Sequence, residues 1–545
     1  MKKLKSIPFS KIPVKSQLYQ DYIAGNPKLS KFYSGYHRNE DDFHRITKSV
    51  VKHDYNRLHL AEVLRGINEK FGITPAIEAN LELLKHDQTV TVITGQQAGI
   101  YTGPLYTILK AITTIKAATH LSKMLNRPVV PLFWMESSDH DLGEVNHIYF
   151  PGLQGPVNHV YGKDENPKQQ SVGSINLMKD FIQFSDKIKK NLPQNDFYDA
   201  VTRLMDETYY PGTTFGDAFG KMMSRLLGRF GLIMVDAENV DLKRLAAPII
   251  VRKLQDRGRM NELLIEQSEE LEREDYQRQI QVRTELLNLF ILKDNNRVPL
   301  SVLGDVLANG ESNAIFESRE LVQIASENPE RFSPKVAFRP IVQDFLFPTI
   351  AYIGGPSELA YFAQLKKVYE FFEIQMPIIW PRTSASLFDA KIQRHIIKIG
   401  ITHEDVFRNP DDVVKEITNR HFDFDIERVF ATADEKLDDI FVWLRDALID
   451  LDPTLAGQLQ NPEKKMLYQL NHIKARTHQT LQSKQKNLTT SYYTVRNQIF
   501  PNKKLQERVY NVLYYLSRYG FWLMDFMMEE LDIEDDCHQI LEIPS

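Results

Sequence analysis

Cysteine is nearly absent from this chain of 545 residues, which contains only Cys537. Without a second cysteine, the chain can form neither an internal disulfide nor a cysteine-cluster zinc site. Long apolar runs are also missing, because 230–235 and 376–380 fall far short of the ~20 residues that a membrane-spanning helix needs. The basic start has no apolar segment before Pro8 and Pro13, which argues against a secretory signal. We therefore expect a soluble, cytoplasmic protein without a membrane partner.

A strong excess of charge of one sign is missing as well. The 67 basic and 72 acidic side chains leave a net charge of −5, so no overall field attracts the protein to nucleic acid or to anionic lipid. Hydrophobic residues make up 42% of the chain and charged residues 26%, which is typical of globular proteins. We therefore expect several domains with sizeable cores, and no nucleic acid among the partners.

From residue 88 onward, short apolar runs alternate with helical patterns, which predicts parallel strands joined by crossover helices. Five of these runs close on glycine, proline, aspartate or polar clusters: 89–94, 129–135, 232–235, 348–353 and 377–380. Ligands of an open α/β sheet bind outside the carboxyl ends of its strands. We therefore expect the polar residues that follow the five runs to meet along one edge of a parallel sheet.

Shifts in composition divide the chain into an α/β core, two insertions and helical ends. The predicted segments are 1–85 (helical), 86–150 (first half of the core), 151–220 (connecting insertion), 221–255 (middle strand of the core), 256–330 (second, helix-rich insertion), 331–404 (last half of the core) and 405–545 (helical domain). The core is therefore predicted to be discontinuous in sequence.

The helical end of the chain contains two stretches of opposite charge. Residues 434–452 place large apolar side chains on one helical face and acidic side chains on the other. Residues 461–510 are basic, and Leu481, Leu488 and Val495 recur every seven residues, which is typical of coiled-coil packing. The basic run either pairs with the acidic helix as a solvated face or forms a patch for nucleotide phosphate or nucleic acid.

The run TGQQAGIYTGPLYTILK (94–110) predicts a strand end, a glycine-spaced loop and a helix that starts near Pro104. The N–H groups and the positive dipole end of such a helix suit phosphate or carboxylate. Gln96 and Gln97 can orient a polar substrate by hydrogen bonds. The glycine spacing matches neither the dinucleotide nor the Walker fingerprint, so a plain strand-to-helix turn is the alternative.

The run DHDLGEVNH (139–147) concentrates acidic side chains and histidines directly after a predicted buried strand. Its candidate residues are Asp139, His140, Asp141, Glu144, Asn146 and His147. Carboxylates beside a histidine can hold an ammonium group, tune the histidine as a general base or bind a metal. The spacing matches no standard metal signature, so no metal site is predicted, and capping of a surface turn is the alternative.

Two further strand ends carry candidate binding residues. Gly354 and Gly355 form a second strand-to-helix turn, for which a plain turn is again the alternative. Arg382 follows the last predicted strand, and its planar guanidinium suits a carboxylate or phosphate, as does that of Arg339. No G-x-S-x-G elbow is present and Cys537 lies in an acidic tail, so nucleophilic catalysis by serine or cysteine is disfavoured.

Five long runs of the sequence are recognisable as a set. They are TGQQAGIYTGPLYTILKAIT, PLFWMESSDHDLGEVNH, FRPIVQDFLFPTIAYIGGPSELAYFAQL, MPIIWPRTSASL and FPNKKLQERVYNVLYYLSRYG, between about residues 90 and 525. In their order and in the overall chain length, they resemble the bacillithiol synthase (BshC) family. The sequence departs from the family pattern at Glu136-Ser137-Ser138, where the family more often has a glycine and an acidic residue.

The resemblance implies an α/β fold with a Rossmann-type parallel-sheet core, similar to that of class I aminoacyl-tRNA synthetases. Connecting segments are inserted into this core, and a C-terminal α-helical coiled coil pairs two subunits into a homodimer. The implied reaction joins L-cysteine to the free amine of glucosaminyl-malate, giving an amide and hence bacillithiol, with ATP as the expected co-substrate. The rival functions are another nucleotide-dependent ligase or nucleotidyltransferase with this core, and a non-catalytic coiled-coil scaffold.

The chemistry of amide formation assigns the candidate residues to parts of this reaction. An activated carboxylate must meet an uncharged amine, so we predict that His140, flanked by Asp139 and Asp141, takes the amine proton. The predicted substrate-binding residues are Gln96, Gln97, Tyr101, Glu144, Asn146, His147, Arg382 and Ser384, with Arg382 on the carboxylates of malate. The predicted nucleotide-binding residues are Thr102, Gly103, Gly354 and Gly355 at the helix starts, and Lys503, Lys504 and Arg508 in a second pocket.

Overall fold

The computed structural model describes residues 3–13, 16–152, 154–162, 170–256, 258–293, 296–303, 306–309, 315–421 and 425–544. Its strands are β1 (Lys3–Ile7), β2 (Val90–Gln97), β3 (Val129–Glu136), β4 (His147–Gly152), β5 (Gly155–Val160), β6 (Ile233–Asp236), β7 (Leu286–Lys293), β8 (Asn296–Leu303), β9 (Val306–Asn309), β10 (Ile315–Glu317), β11 (Phe332–Pro334), β12 (Thr349–Gly354), β13 (Ile378–Pro381), β14 (Ser384–Asp389) and β15 (His538–Ile543).

The α-helices of the described residues all lie between β1 and β15 along the chain. They are α1 (Gln17–Ile23), α2 (Glu40–Val50), α3 (Arg57–Phe71), α4 (Pro75–Leu84), α5 (Tyr106–Leu125), α6 (Phe181–Asn191), α7 (Tyr198–Thr208), α8 (Phe215–Leu227), α9 (Val240–Leu245), α10 (Ala247–Gln255), α11 (Arg259–Arg273), α12 (Ser318–Glu327), α13 (Arg339–Leu346), α14 (Pro356–Phe362), α15 (Lys366–Phe371), α16 (Ala390–Ile399), α17 (Pro410–His421), α18 (Ile426–Ile449), α19 (Pro453–Gln458), α20 (Gln460–Ile499), α21 (Val512–Tyr519) and α22 (Trp522–Glu530). None of these described helices has the length and apolarity needed to cross a lipid bilayer.

A five-stranded parallel sheet in the order β13-β12-β2-β3-β6 forms the centre of the core. All five predicted strands are present, and their ends lie within three residues of the predicted positions. The prediction of these strands is confirmed. It succeeded because strands that are buried on both faces have nearly continuous apolar sequences. Val92 and Ile93 in the middle strand β2, for example, are both fully buried.

The parallel register brings the carboxyl ends of these strands to one edge of the sheet. Gln97, the last residue of β2, lies opposite Glu136, the last residue of β3. Gly354 at the end of β12 accepts a hydrogen bond of 2.8 Å from the main-chain N–H of Arg382, which follows β13. The polar residues that follow these strands therefore lie along a common edge, as predicted.

Helix α5 connects β2 to β3 and packs on the sheet. Its Ile108, Ile112 and Ile115 are at most 4% exposed, and full burial of such a side chain contributes about 2–3 kcal/mol to folding. Tyr106 and Lys110 stand four residues apart at the amino end of the same helix. Positions i and i+4 share a face of a helix, so both side chains lie at the carboxyl edge of the sheet.

The segment 1–85, which was predicted to be helical, contains α1 to α4, and it also contains the strand β1, which was not predicted. This strand pairs in antiparallel fashion with β15, so that Ile7 lies opposite His538 near the other end of the chain. Pairing between such distant segments leaves no local signal in the sequence, because neither strand has a neighbouring strand along the chain.

The two insertions differ in their secondary structure. The first, at 151–220, contains most of the antiparallel hairpin β4–β5 followed by α6 to α8. The second, at 256–330, was predicted to be helix-rich, but between α11 and α12 it forms strands of an antiparallel sheet in the order β10-β9-β8-β7-β11. The strand β7, with the sequence LLNLFILK, is as long and as apolar as the central strands, so this apolar run was a signal that the sequence interpretation missed.

Residues 388–500 form a compact helical unit of their own. Within it, Lys474 Nζ of α20 lies 2.6 Å from Glu427 Oε2 of α18, and Arg445 pairs with Glu463 at 3.0 Å. These ion pairs join the two long helices, but neither joins an acidic residue of 434–452 to a basic residue of 461–510, so the predicted pairing of those two stretches stays a prediction.

Helix α20 carries the predicted heptad pattern, and its Leu488 and Val495 are buried. The helix ends at Ile499, well before the predicted end, because Pro501 lacks the N–H group that a helix interior requires. Residues 501–543 were assigned to the helical domain by the sequence, whereas in the structure they belong to the same compact unit as 1–387.

Asp344 in α13 is a fully buried carboxyl group. Burial raises its pKa to about 7, against hydrogen bonds from Tyr369 and Gln343 that act to lower it. The folded state therefore holds a proton that the unfolded state releases near its ordinary pKa. As the pH rises from that ordinary value to the raised one, the folded state loses about 1.4 kcal/mol of stability per pH unit.

We expect Asp344→Asn to remove this pH-dependent loss of folding stability, because an amide does not ionise. The melting temperature of the parent protein should fall between about pH 5 and pH 7 relative to that of the variant. Asp199→Asn, at an exposed position of α7, serves as the matched control and should follow the parent. An identical pH dependence of Asp344→Asn and the parent would contradict the expectation.

Candidate active site

A cavity of about 360 Å³ opens at the carboxyl edge of the central sheet. Its wall is built by the ends of β2 and β3, the starts of α5, α13 and α14, and two arginines that follow β13 and α20. Four cationic and four acidic side chains line it: Lys110, Arg339, Arg382 and Arg508, and Glu136, Asp139, Glu144 and Glu358. The formal charges balance, so the chemistry of the cavity depends on which of them are already paired.

Gln97 joins two of the acidic side chains. Its Nε2 donates to Asp139 Oδ2 at 2.7 Å and to Glu144 Oε2 at 2.8 Å. Among the described residues, neither carboxylate has a lysine or arginine partner within ion-pair distance. The two acids therefore keep their capacity to bind a cationic group of a ligand.

Asp139 remains ionised at neutral pH. Burial acts to raise its pKa, but hydrogen bonds from His140 and Gln97 and the charge of Arg339 hold the pKa well below the ordinary value. The main-chain N–H of His140 contributes by donating to Asp139 Oδ1 at 2.7 Å. Asp139 is thus a stable negative charge and a poor acceptor for a proton.

Gln96 connects the end of β2 to the start of α5. Its Nε2 donates to the hydroxyl of Tyr106 at 3.1 Å, and its Oε1 accepts from Lys110 Nζ at 3.0 Å. The amide group is therefore oriented by two neighbours that stand on one face of the helix. Gln96 and Gln97, adjacent in sequence, organise different parts of the cavity wall.

Lys110 is a buried cation that the sequence interpretation missed. Its Nζ donates to the carbonyl of Gly95 at 2.7 Å and pairs with Glu358 Oε2 at 2.6 Å. Burial lowers the pKa of Lys110, and the neighbouring Glu358 partly offsets this effect. Its spacing of four residues from Tyr106, on a helix that follows a strand end, was the signal that could have identified it.

Glu136 and Arg339 form a second ion pair in the wall. Arg339 Nε lies 2.7 Å from Glu136 Oε2, and the indole N–H of Trp134 donates to the same oxygen at 3.1 Å. The hydroxyl of Ser138 also donates to Glu136. Because a buried carboxylate needs such partners, Glu136 and Arg339 largely neutralise each other.

Two arginines flank the ring of Tyr106. The Cζ atoms of Arg382 and Arg508 lie 5.7 Å and 5.9 Å from its centre, within the range of cation–π contact. Arg382 is committed to Glu507, with 2.6 Å between Nη2 and Oε1, and the hydroxyl of Ser384 donates to the same carboxylate behind the wall. Arg508 is exposed and has no ion-pair partner among the described residues.

The cavity therefore holds uncommitted acids around Gln97 and an uncommitted arginine beside Tyr106. This arrangement can bind a molecule that carries both an amine and an anionic group. Within the described parts of the chain, histidine, cysteine, aspartate and glutamate form no cluster of three or more that could hold a metal ion.

Both parts of the chain match models of one protein family. Residues 3–383 match "Bacillithiol biosynthesis BshC, N-terminal Rossmann-like domain", and residues 385–543 match "Bacillithiol biosynthesis BshC, C-terminal coiled-coil domain". The chain belongs to the BshC family. The resemblance found in the sequence is thereby confirmed, as is the Rossmann-type core with a coiled-coil domain.

Relatives named "Putative cysteine ligase BshC" are similar over nearly their whole length. The protein of that name from Koribacter versatilis is 30% identical over 526 residues, which cover 96% of this chain and 97% of the relative. The one from Chloroherpeton thalassium is 31% identical over 548 residues, covering 96% and 97%. The one from Salinibacter ruber is 30% identical over 529 residues, covering 96% of each chain.

The structure of this BshC family member brings part of the predicted site together. Eight predicted residues line the cavity: Gln96, Gln97, Asp139, Glu144, Arg339, Gly355, Arg382 and Arg508. The other predicted residues do not line it: His140, Asp141, Asn146, His147, Tyr101, Thr102, Gly103, Gly354, Ser384, Lys503 and Lys504. Arg508 was predicted for a second, nucleotide-binding pocket, but it lies in the same wall as Arg382.

His140, the predicted base, lies beside the cavity. Its side chain is 46% exposed, and its Nδ1 is 3.5 Å from Asp139 Oδ1. Asp141 accepts a hydrogen bond of 3.3 Å from the main-chain N–H of Glu144, which caps the short turn after β3. The imidazole therefore has access both to solvent and to the edge of the cavity, next to the ionised Asp139.

Asn146 and His147 support the start of the hairpin β4–β5. Asn146 is fully buried, and its Nδ2 donates to the carbonyl of Tyr161 at 3.0 Å. His147 Nδ1 lies 3.0 Å from the carbonyl of Gly143. Both side chains are thus engaged with the main chain outside the cavity, and the structure gives no support to their predicted contact with substrate.

Tyr101, Thr102 and Gly103 lie beneath other parts of the protein. Tyr101 is fully buried, and its hydroxyl donates to Ser185 at 3.0 Å. Asn511 Nδ2 donates to the carbonyls of Tyr101 and Gly103 at 2.8 Å and 2.6 Å. Since this helix start is covered, the structure gives no support to the phosphate site predicted there.

The second predicted phosphate site is also partly committed. Gly354 belongs to β12, and the N–H of Gly355 donates to Glu358 Oε2 at 2.8 Å. Glu358 thereby occupies the position that a ligand oxygen would take. Lys503 and Lys504 are exposed side chains outside the cavity, so their predicted contact with nucleotide stays a prediction.

We expect Lys110→Met to destabilise the protein strongly. Removing one partner of a buried ion pair leaves the other charge unpaired, which typically costs about 3–5 kcal/mol. The melting temperature should therefore fall by several degrees, and the double variant Lys110→Met with Glu358→Gln should recover part of that loss. Lys123→Met, at an exposed position near the end of α5, provides the control. Equal melting temperatures for Lys110→Met and Lys123→Met would show that the buried pair is unimportant.

Proposed function

We propose that this protein is a ligase that joins L-cysteine to the free amine of glucosaminyl-malate, forming an amide and hence bacillithiol. One observation carries the proposal: the cavity combines two acids without a lysine or arginine partner, Asp139 and Glu144, with the uncommitted Arg508. The name of the relatives, "Putative cysteine ligase BshC", supports the same class of reaction.

The charges of the cavity complement those of glucosaminyl-malate. This substrate carries a cationic amine before reaction, which the carboxylates around Gln97 can hold. Its malate part carries two carboxylates, and a guanidinium binds a carboxylate through two parallel hydrogen bonds. Arg508 has no acidic partner among the described residues and can make such a contact. Arg382 lies beside the same aromatic ring, that of Tyr106. Cysteine is the second small-molecule substrate of the proposed reaction.

The amine must lose a proton before it attacks an activated carboxyl group. Asp139 is a poor acceptor for that proton because its pKa lies well below the ordinary value. His140 lies next to it, with 3.5 Å between Nδ1 and Asp139 Oδ1. We therefore retain His140 as the proposed base, positioned between the ionised Asp139 and Arg297, whose Nη1 lies 3.5 Å from His140 Nδ1.

ATP is the proposed co-substrate and, when bound, would supply the activation of the cysteine carboxyl group. Of the residues predicted to bind nucleotide, Arg508 is the cation that reaches the cavity, and its lack of an ion-pair partner fits an anionic group. The N–H of Gly355 fits less well, because it already donates to Glu358.

We also propose that two copies pair through the helical unit. Apolar side chains of α18 and α20 are more than half exposed in the single chain: Ile440, Val442, Trp443, Tyr468 and Ile473. Contiguous exposed apolar surface is unfavourable in water and is typical of an interface. A second copy of the same unit would cover it, as the coiled-coil prediction requires.

The function is tested by supplying the purified protein with L-cysteine and glucosaminyl-malate, with and without ATP. We expect a new thiol whose mass equals the sum of the two substrates minus water, and we expect it only when ATP is present. Arg508→Ala should raise KM for glucosaminyl-malate about 10–100-fold, because a charge-assisted contact is lost. Arg229→Ala, at an exposed pair with Asp525, is the matched control. Absence of the thiol under all conditions would overturn the proposed function.

The proposed base has its own test. We expect His140→Ala to lower kcat about 10²–10⁴-fold while KM for glucosaminyl-malate changes little, because proton transfer is lost and charge recognition is kept. Steady-state rates of amide formation measure both constants. If the variant keeps the parent rate, His140 is not the base, and solvent or Glu144 would have to accept the proton.

A further inference from the structure

In the segment Gln506-Glu507-Arg508, the first two residues are buried and fixed by hydrogen bonds, and the third, Arg508, lines the cavity. Gln506 accepts from the main-chain N–H of Leu387 at 2.7 Å and donates to the carbonyl of the same residue at 2.6 Å. Gln506 and Glu507 are both fully buried, whereas Arg508 is exposed. The conformation of this short turn is therefore determined by its neighbours, and Arg508 is the residue that it leaves available.

Glu507 holds Arg382 from behind the cavity wall. Its Oε1 accepts from Arg382 Nη2 at 2.6 Å, and its Oε2 accepts from the hydroxyl of Ser384 at 3.0 Å and from the N–H of Ala385 at 2.8 Å. Burial acts to raise the pKa of Glu507, but the charge of Arg382 and these hydrogen bonds hold it below the ordinary value. The carboxylate is therefore ionised, and three donors restrict its orientation.

His538, from the C-terminal strand β15, extends this network. Its Nδ1 lies 2.8 Å from Ser384 Oγ and its Nε2 lies 2.9 Å from Ser386 Oγ. Burial lowers the pKa of His538 to about 4, so the imidazole is neutral at neutral pH. Because the hydroxyl proton of Ser384 is donated to Glu507, its oxygen is available to accept from Nδ1–H, and Nε2 then accepts from Ser386. The hydrogen bonds therefore run in one direction, from Ser386 through His538 and Ser384 to the Glu507 carboxylate.

The orientation of Arg382 follows from these contacts. Its Nη2 is bound to Glu507, and its Nη1 donates to the carbonyl of Thr383 at 2.9 Å. Its Nε lies 4.0 Å from the point that a Cβ atom on Gly355 would occupy, and Gly355 is part of the cavity wall. The Nε edge of the guanidinium therefore lies next to Gly355, and Arg382 itself lines the cavity.

We propose that Glu507 is a positioning residue that acts through Arg382: it fixes the guanidinium beside Tyr106 so that Arg382 and Arg508 together receive the dicarboxylate part of the substrate. This inference rests on the proposed function, since it concerns recognition of glucosaminyl-malate. The inference gives Glu507, whose carboxylate does not line the cavity, a role in substrate specificity. It also means that His538 of the C-terminal strand β15 supports the site through Ser384.

The proposal is tested with Glu507→Gln, which keeps the shape of the side chain and removes its charge. We expect KM for glucosaminyl-malate to rise about tenfold with kcat and KM for cysteine nearly unchanged. Calorimetric titration with glucosaminyl-malate in the absence of cysteine should show the same loss of affinity without turnover. Should this variant fail to fold, Glu507→Asp, which keeps the charge but shortens the side chain, is used in its place and should show a smaller rise.

A double-mutant cycle separates positioning from general destabilisation. If Glu507 acts through Arg382, adding Glu507→Gln to Arg382→Gln should raise KM by less than about twofold further. Asp256→Asn serves as a control, because it breaks the buried pair Lys253–Asp256 elsewhere in the core. It should lower the melting temperature and leave KM for glucosaminyl-malate unchanged.

The outcomes distinguish this proposal from the proposed function. If the parent protein forms the thiol and binds glucosaminyl-malate, but Glu507→Gln has the parent KM, or the effects of the two substitutions simply add, positioning by Glu507 is overturned. If the parent protein neither forms the thiol nor binds glucosaminyl-malate, the proposed function itself fails and this inference fails with it. A selective rise in KM that vanishes in the Arg382→Gln background supports it.

Discussion

Parallel pairing of β2 with its neighbours β3 and β12 is the constraint on which the rest of this protein depends. Side chains alternate along a strand, and parallel strands in register present their last residues at the same height. The pairing therefore places Gln97 opposite Glu136 and keeps Gly354 beside the residues that follow β13. Any slip of the register by one residue would turn these polar ends to the other face of the sheet and take the cavity apart.

The second organising principle is that most of the charges that line the cavity are paired with a neighbour of opposite charge. Lys110 is joined to Glu358, Arg339 to Glu136, and Arg382 to Glu507. Burial makes an isolated charge costly, so these pairs are required for the wall to exist at all. Among the described residues, Asp139 and Glu144 have no lysine or arginine partner and Arg508 has no acidic one, so these three charges of the wall differ from the paired ones.

Sequence patterns predicted some parts of this structure well and others poorly, for physical reasons. The central strands were predicted because strands covered on both faces are continuous apolar runs, and their polar ends were predicted to converge because ligands collect at that edge. Tyr106 and Lys110 were missed although their helical spacing places them at the same edge. Glu507 was missed because its partner Arg382 lies far away in sequence, and no local pattern marks a carboxylate that a fold will bury.

By itself, the sequence determined the class of fold, the positions of the central strands, the coiled-coil character of α20 and the membership of the BshC family. These follow from local periodicity and from long runs of matching residues, which need no knowledge of the fold. Only the tertiary structure decided that Tyr101, Thr102 and Gly103 lie beneath Asn511, and that Arg508 shares a wall with Arg382. Whether one segment covers another, and whether two residues line the same wall, depends on how distant segments pack together. The free energy of that packing is distributed over the whole core, so no local sequence pattern shows it.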